Sequence, residues 1–198
     1  MRQRGRKKDR ESVWLVRIVP IRYEPNMLTG SEMSAEDVVE FVRLMEENGI
    51  DFHLDGGWGV DALLGLQTRC HEDLDIAVQH KDVPAVRGLL EARGYREFPS
   101  PDAKAFNFVL SDSQGRKIDV HSYTFDPRGS HVYGIAYPID SLTGTGMING
   151  HPVKCISAEW AVKFHTQYEA DETDFQDVQA LCARFDISLP DMYRKFLR

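Results

Sequence analysis

Two aspartates near the middle of the chain, Asp73 and Asp75, have the spacing of a pair of metal ligands. Their neighbours Leu74 and Ile76 are apolar, which predicts a β-strand with both carboxylates on one face. Adjacent carboxylates repel each other and raise each other's pKa unless a cation lies between them. Because carboxylate oxygens are the ligands that Mg²⁺ prefers, the pair predicts a magnesium site.

A glycine pair upstream of the aspartates, Gly56-Gly57, follows a short apolar segment and precedes a helical one. Glycines leave the backbone uncovered, so their amide groups can approach a phosphate. A helix that begins at this turn directs the positive end of its dipole at the same anion. We therefore expect both amides to bind the β- and γ-phosphates of a Mg-nucleotide, the alternative being a tight turn without a ligand.

A third carboxylate, Asp119, lies between Ile118 and Val120 in another apolar segment. Burying an unpaired carboxylate is costly, so we expect Asp119 to face a site. The alternative is a bulge or an edge position. His121 is expected on the same face, where it either lines an acceptor pocket or pairs with a neighbouring carboxylate.

The remaining candidates lie around the glycine turn. Arg69 is predicted to clamp phosphate through two hydrogen bonds, and its alternative is a surface ion pair with Glu72 or another neighbour. Trp58 either stacks on a base or an acceptor or anchors the core. His71 either neighbours the metal site or is a hydrogen-bonded structural residue. For Asp55 and Asp61 we favour structural roles, such as helix capping or pairing with Arg69.

These motifs resemble those of the aminoglycoside and lincosamide nucleotidyltransferases. The resemblance covers about residues 34–184 and is carried by Leu54 to Gly65, Thr68-Arg69, His71, Asp73-Leu74-Asp75, Lys117 to His121, and Pro152 to Ser157. It implies an α+β fold with a nucleotidyltransferase-like mixed β-sheet flanked by helices and a small helical C-terminal part.

The resemblance also implies an activity, namely Mg²⁺-dependent transfer of AMP from ATP to a hydroxyl of a small molecule, such as an aminoglycoside or lincosamide. In that family the position of Asp119 is the third carboxylate, which either completes the metal site or accepts the proton of the attacking hydroxyl. Two alternatives remain: a toxin-like nucleotidyltransferase that modifies a protein or tRNA, and a non-catalytic nucleotide-binding module.

Lys163 corresponds to a lysine that related enzymes often place against the triphosphate. Those enzymes tend to carry a further basic residue shortly before the aspartates that match Asp174 and Asp177. Here that stretch, Glu169 to Thr173, contains none. The alternative for Lys163 is therefore a solvated helix face.

The composition favours some partners over others. With 24 basic and 31 acidic residues the formal net charge is −7, which disfavours a nucleic-acid partner and suits a cationic acceptor. The three cysteines form no Cys-x-x-Cys motif, so a reducing, cytoplasmic setting fits. No apolar stretch has the length of a membrane span. The sequence carries no indication of the oligomeric state.

Charge and periodicity divide the chain into three parts. Residues 1–30 hold eight Lys or Arg and three acids, and are expected to be a disordered basic extension. Residues 31–155 are predicted to form the nucleotidyltransferase core, and residues 156–198 a helical C-terminal part. The predicted helices span 35–48, 58–65, 82–93, 157–170, 174–185 and 188–197, and the predicted strands 52–55, 74–78, 106–110 and 116–121, with loops and short strands over 123–150.

Overall fold

The computed structural model describes residues 32–101 and 103–197, so the predicted basic extension lies outside the described residues. Within those ranges the chain forms a mixed β-sheet flanked by helices, which confirms the predicted fold class. The α-helices are α1 Ala35–Glu47, α2 Gly56–Leu64, α3 Val83–Glu91, α4 Ala158–Phe164 and α5 Glu172–Phe185. The strands are β1 Phe52–Leu54, β2 Asp73–Gln79, β3 Arg96–Phe98, β4 Asn107–Ser111, β5 Lys117–Phe125, β6 His131–Gly134, β7 Gly144–Ile148 and β8 His151–Cys155. Short 3₁₀ segments occupy His80–Asp82, Ile139–Thr143 and Asp191–Phe196.

The strand order of the sheet is β3-β4-β5-β2-β1-β8-β7, and β6 pairs with β5. The β2–β5 and β1–β8 pairs are parallel, whereas the other pairs are antiparallel. In the β2–β5 pair, Asp73 lies opposite Lys117 and Asp75 lies opposite Asp119. The register of two central strands therefore places two predicted ligands side by side.

The side-chain alternation along β2 and β5 separates the core from the site. Leu74, Ile76, Ile118 and Val120 are buried in a cluster with the apolar faces of α1 and α3. The acids project from the opposite face of the same strands. There a second cluster packs α4 and α5 against the sheet, and α2 contacts both helices. The C-terminal helices therefore stand beside the acidic face.

The first helix begins and ends as its sequence predicts. The Ser34 side chain accepts a hydrogen bond from the Asp37 amide, and the Asp37 side chain accepts one from the Ser34 amide. This capping box satisfies amides that lack a partner within the helix. Asn48 is the C-cap, and Gly49 follows with a φ of +66°. Among the described residues, no helix has both the length and the apolar character needed to cross a membrane.

Several elements differ from the sequence-based expectation: α2 begins at Gly56, β5 extends to Phe125, and the helix predicted over 188–197 is a 3₁₀ segment over Asp191–Phe196. Two further differences have a local cause. The helix predicted over 157–170 ends at Phe164, where the Thr166 hydroxyl donates a hydrogen bond to the Lys163 carbonyl at 2.7 Å and thereby competes with a further turn. A β7–β8 hairpin falls where the sequence predicted loops and short strands. Asn149 and Gly150, with φ of 46° and 76°, form its turn, which is the strongest short-range hairpin signal.

Candidate active site

The centre of the acidic face is the carboxylate pair Asp75 and Asp119. One ligand atom each from Asp75, Asp119 and His121 can be chosen so that all three lie within 4.8 Å of one another. The Oδ1 atom of Asp119 is buried and has no hydrogen-bond partner, although the His121 Nε2 lies 3.4 Å away. A buried carboxylate oxygen without a donor is costly, which indicates that a ligand supplies the missing contact.

The Gly-Gly turn lies directly on Asp75. Gly56 has a φ of +53°, and a Cβ at this position would overlap the Asp75 carboxylate. A Cβ at Gly57 would come within 2.6 Å of the Arg69 Nη2. Both positions therefore need glycine, one for its conformation and its space and the other for its space.

The backbone amides of the turn differ in what they bond. Asp55 is the N-cap of α2, and its Oδ1 accepts a hydrogen bond from the Gly56 amide at 2.9 Å. The first helical hydrogen bond runs from the Gly59 amide to the Asp55 carbonyl. The Gly57 amide precedes that bond, so the helix offers it no acceptor, and it is the better placed of the two glycine amides for an anion.

A buried tyrosine ties the turn to the strand that carries Asp119. The Tyr137 hydroxyl donates to Asp55 Oδ2 at 2.6 Å and lies 3.3 Å from His121 Nδ1. Burial acts to raise the pKa of Asp55, but hydrogen bonds from His121 and Tyr137 lower it, and the net direction is downward. Asp55 is therefore held as a carboxylate at the start of the helix.

The electrostatics of the remaining acids show an excess of negative charge. Burial, followed by the charge of Asp73, raises the pKa of Asp75 to about 7. Burial and the charge of Asp119 raise the pKa of Asp73. Burial acts to lower the pKa of His121, but the interactions with Asp119 and Asp55 act in the opposite direction, and the resulting pKa is about 10. The like charges are thus only partly compensated by the protein itself.

The site opens into a cavity of about 350 Å³ between the sheet and the C-terminal helices. On the sheet side its wall includes the glycine turn, Asp75 and His121, and on the helical side it is formed by Phe164, His165, Tyr168 and Asp174. Tyr168 is 52% exposed, and its hydroxyl donates to Asp174 Oδ1 at 2.7 Å. The cavity therefore has one acidic wall and a second wall with aromatic and acidic groups.

The donor set fits a divalent cation of the magnesium type. Asp75 and Asp119 offer hard oxygens side by side, one of them without a donor, in a place where a positive charge relieves their repulsion. Asp73 lies on the same face and opposite Lys117, but it falls outside the group of three. Asp75 and Asp119 would hold the ion, and Asp73 remains a predicted ligand.

Comparison with known proteins identifies the family. Residues 37–181 match the family described as aminoglycoside-2''-adenylyltransferase, and this match spans most of the chain. The chain belongs to that family. It is therefore a nucleotidyltransferase, as the sequence predicted, and the non-catalytic alternative is set aside.

This chain aligns with most of the length of two relatives of the adenylyltransferase family. A lincosamide resistance protein from Staphylococcus haemolyticus is 27% identical over 164 residues, which are 78% of this chain and 98% of that protein. A 2''-aminoglycoside nucleotidyltransferase from Escherichia coli is 26% identical over 127 residues, covering 64% of this chain and 69% of that protein.

Two solved structures share the fold of this adenylyltransferase. The lincomycin-bound lincosamide antibiotic adenylyltransferase LnuA has a TM-score of 0.68 at 26% identity and covers 80% of this chain and 100% of its own. ANT(2'')-Ia in complex with adenylyl-2''-tobramycin has a TM-score of 0.65 at 18% identity, with coverage of 82% and 96%. The fold is therefore that of the nucleotidyltransferases.

The structure brings most of the predicted site residues to this face of the adenylyltransferase. Asp75, Gly56, Gly57, Arg69 and His121 line the cavity. Asp119 lies beside them, opposite Asp75. Arg69 was predicted to clamp phosphate, with an ion pair to Glu72 or another neighbour as the alternative; its guanidinium pairs with Asp177 of α5 at 3.0 Å.

Two predicted site residues lie outside the lining of the cavity in this structure. Lys163 is exposed, and its ammonium lies 4.0 Å from the centre of the Trp160 ring, so it does not line the cavity. Trp58 is 1% exposed and packs on His71 with ring centroids 4.5 Å apart, so its ring is not open to a base or an acceptor. For both residues the structure favours the alternative, a solvated helix face and a core anchor.

Sequence reasoning missed two residues around the site, Tyr137 and Asp177, and left the roles of His71 and Asp55 open or structural. His71, named there with two alternatives, is buried and bonded to Asp61 at 2.5 Å, which is the structural one. Asp55 was expected only to have a structural role, and Tyr137 and Asp177 were given no role. Tyr137 lies in the segment predicted as loops and short strands, and no periodic pattern marks it. For Asp177 a signal existed, since a carboxylate among the apolar positions of a helix needs a partner.

Proposed function

We propose that this chain transfers AMP from MgATP to a hydroxyl group of a small cationic antibiotic. The observation that carries the proposal is the Asp75–Asp119 pair, in register on parallel strands and covered by a glycine turn at the start of a helix. This arrangement combines hard oxygen ligands with an anion-binding backbone, which is what a Mg-triphosphate requires. ATP is abundant in the cytoplasm, where we expect the enzyme to act.

The protein residues divide the work of the reaction. In this proposal the Gly57 amide and the Arg69 guanidinium bind the β- and γ-phosphates, which leaves the α-phosphorus near the carboxylates. The acceptor hydroxyl oxygen attacks that phosphorus in line, a new P–O bond forms, and the bond to pyrophosphate breaks with its electron pair leaving on pyrophosphate. Mg²⁺ held by Asp75 and Asp119 would neutralise the charge that develops on the phosphates.

Asp119 is our choice for the residue that accepts the proton of the attacking hydroxyl. Its Oδ1 has no hydrogen-bond donor, and it lies on the strand next to Asp75, beside the cavity. The same oxygen is also suited to the metal, so the two roles compete for one residue. Catalysis would come mostly from the positioning of the reactants and from electrostatics.

The helical wall of the cavity supports a cationic acceptor. Asp174 lines the cavity, and the acidic residues of the preceding segment lie nearby in the chain: Glu169, Asp171 and Glu172. The exposed ring of Tyr168 offers a face on which an amine or a sugar ring can pack. An aminoglycoside or a lincosamide meets these requirements, in line with the family and with the lincomycin-bound relative.

The test is transfer of label from [α-³²P]ATP in the presence of MgCl₂ to a panel of aminoglycosides and lincosamides, with tRNA and total protein in parallel reactions. We expect one labelled antibiotic class, a stoichiometric release of pyrophosphate, and no labelled product with the Asp75→Asn variant. Labelling of tRNA or protein with no labelled antibiotic would overturn the proposed acceptor in favour of the toxin-like alternative.

A further inference from the structure

Asp177 is a buried carboxylate of α5 whose partner lies at the glycine turn. Its side chain is 4% exposed. The Arg69 Nη2 donates to Asp177 Oδ2 at 3.0 Å, and the Arg69 Nε lies 3.5 Å from Asp177 Oδ1. Both carboxylate oxygens therefore face one edge of the guanidinium, which fixes its plane as well as its position.

The other contacts of Arg69 place the guanidinium over the phosphate-binding turn. Its Nη1 donates to the Cys70 carbonyl at 3.2 Å, and its Nη2 lies 2.6 Å from the point that a Cβ on Gly57 would occupy. These bonds use three of the five N–H groups, and the remaining two are on Nη1 and Nη2. Arg69 lines the cavity with its side chain 32% exposed.

Two roles for the carboxylate make opposite predictions about the nucleotide. If Asp177 only neutralises Arg69, it competes with the phosphates, and its removal should strengthen nucleotide binding. If Asp177 orients Arg69, its removal should weaken nucleotide binding, because a free arginine side chain must lose its rotamer freedom when it binds. The second role fits the geometry, since the bond runs along the guanidinium edge and leaves two donors beside Gly57.

We propose that Asp177 is a positioning residue for the nucleotide: it holds Arg69 over Gly57 so that Nη1 and Nη2 donate to the β- and γ-phosphates. This inference rests on the proposed function, in that it takes ATP as the donor. Through Asp177, which follows Arg69 by 108 residues in the chain, α5 then contributes to nucleotide binding. The bond joins the segment between α2 and β2 to α5, so the packing of α5 sets where the Arg69 guanidinium lies.

The test is the Asp177→Asn variant, which keeps the shape of the side chain and one acceptor oxygen but removes the charge. We expect its Kd for ATP in the presence of MgCl₂, measured by calorimetry, to rise about tenfold, together with the KM for ATP, because one charge-assisted bond is worth about that factor. The kcat and the KM for the acceptor should change much less. Asp186→Asn is the matched control, since Asp186 is an exposed residue at the end of the same helix, and it should leave ATP binding unchanged.

A double-mutant cycle shows whether Asp177 acts through Arg69. Arg69→Gln should weaken ATP binding, and adding Asp177→Asn to that variant should weaken it no further. A fall in the KM for ATP in the Asp177→Asn variant, an unchanged KM with a lower melting temperature, or additive effects in the cycle would each overturn the proposal.

One more variant keeps the test decisive if Asp177→Asn does not fold. Arg69→Lys retains the positive charge but loses the planar fork, so we expect it to weaken ATP binding about as much as Arg69→Gln. Full ATP affinity in Arg69→Lys would show that charge alone is sufficient and would overturn the proposal. Calorimetry with ATP needs no acceptor, so a parent enzyme that binds ATP but labels nothing in the panel contradicts the proposed acceptor and not the role of Asp177.

Discussion

Two carboxylate clusters along strand β5 share residue types but differ in charge balance. Near the start of the strand, Arg116 bonds Asp112 through its Nε at 2.7 Å and Asp37 through its Nη1 at 2.5 Å. Further along the strand, Asp119 faces Asp75, and no arginine lies between them. The first cluster contains its own arginine, whereas in the second the His121 imidazole faces several carboxylates and compensates their charge only in part.

The pKa shifts of the two clusters run in opposite directions. At Asp37 burial acts to raise the pKa, but hydrogen bonds from Ser34 and the contacts with Arg116 lower it, with a net downward shift. At Asp75 burial and the neighbouring charges raise the pKa to about 7. Aspartates beside one strand thus stabilise the fold where an arginine balances their charge, and form a ligand site where the balance is incomplete.

The largest expected effect is the loss of activity when the uncompensated cluster is changed. Asp119→Asn should lower the transfer rate by ~10²–10⁴-fold, the range for loss of a general base, and Asp73→Asn and Asp75→Asn should each remove most of the metal-dependent activity. The melting temperature should stay the same or rise, since one like charge is removed. Pyrophosphate release and thermal unfolding measure the two properties, and near-parental turnover in all three variants would exclude the metal-site assignment.

The matched control for these variants is Asp112→Asn in the compensated cluster, which makes the same chemical change on a side chain that is 5% exposed. It should lower the melting temperature and leave kcat close to that of the parent.

The same set of variants also separates the two roles of Asp119. Asp119→Asn should bind MgATP almost as the parent does if Asp119 is only the base, and more weakly if it is mainly a metal ligand.

The next largest effect is a loss of stability when the built-in cation is removed. Arg116→Met should lower the free energy of unfolding by about 1.5–3 kcal/mol, the range for hydrogen bonds to charged groups, because it leaves Asp37 and Asp112 without their partner. The kcat of the folded fraction should be unchanged. Urea unfolding beside a transfer assay tests both statements, and an equal loss of kcat would show that the two clusters are coupled.

A smaller effect is expected in the acid sensitivity of the compensated cluster. The folded-state pKa of Asp37 is below its unfolded value of 3.8, so its contribution to stability is present above that value and is lost as the pH falls through the folded pKa. Asp37→Asn should therefore lower stability at pH 7 and make the unfolding free energy fall less between pH 5 and pH 3. Urea titrations between pH 5 and pH 3 measure the free energy of unfolding of the parent and of Asp37→Asn. An equal loss of stability in the two proteins over that range would contradict the prediction.

The smallest effect is expected outside both clusters. Deletion of residues 1–26 should leave the melting temperature and the transfer rate nearly unchanged, because the composition changes before the capped helix α1. Differential scanning calorimetry and the labelling assay would detect a contribution of this segment. A marked loss of either property would show that the basic segment packs on the protein or binds a substrate.

Local patterns in the sequence determined the central part of the site. Alternation of apolar and acidic residues placed Asp73 and Asp75 on one face of a strand, and the Gly56-Gly57 pair marked the turn, because strand periodicity and glycine conformation depend on near neighbours. The capping box at Ser34 and Asp37 was equally readable. The β7–β8 hairpin had a local signal too, in Asn149-Gly150, and it was missed.

Contacts between distant parts of the chain were decided only by the tertiary structure. Asp55 and Tyr137 are 82 residues apart, and Arg69 and Asp177 are 108 residues apart. Lys163 turns towards Trp160 instead of the cavity, and Trp58 is enclosed beside His71. The sequence alone predicts which residues could bind a Mg-nucleotide, since that prediction depends on residue type and local spacing. The partners that orient them depend on strand register and helix packing, which no local pattern specifies.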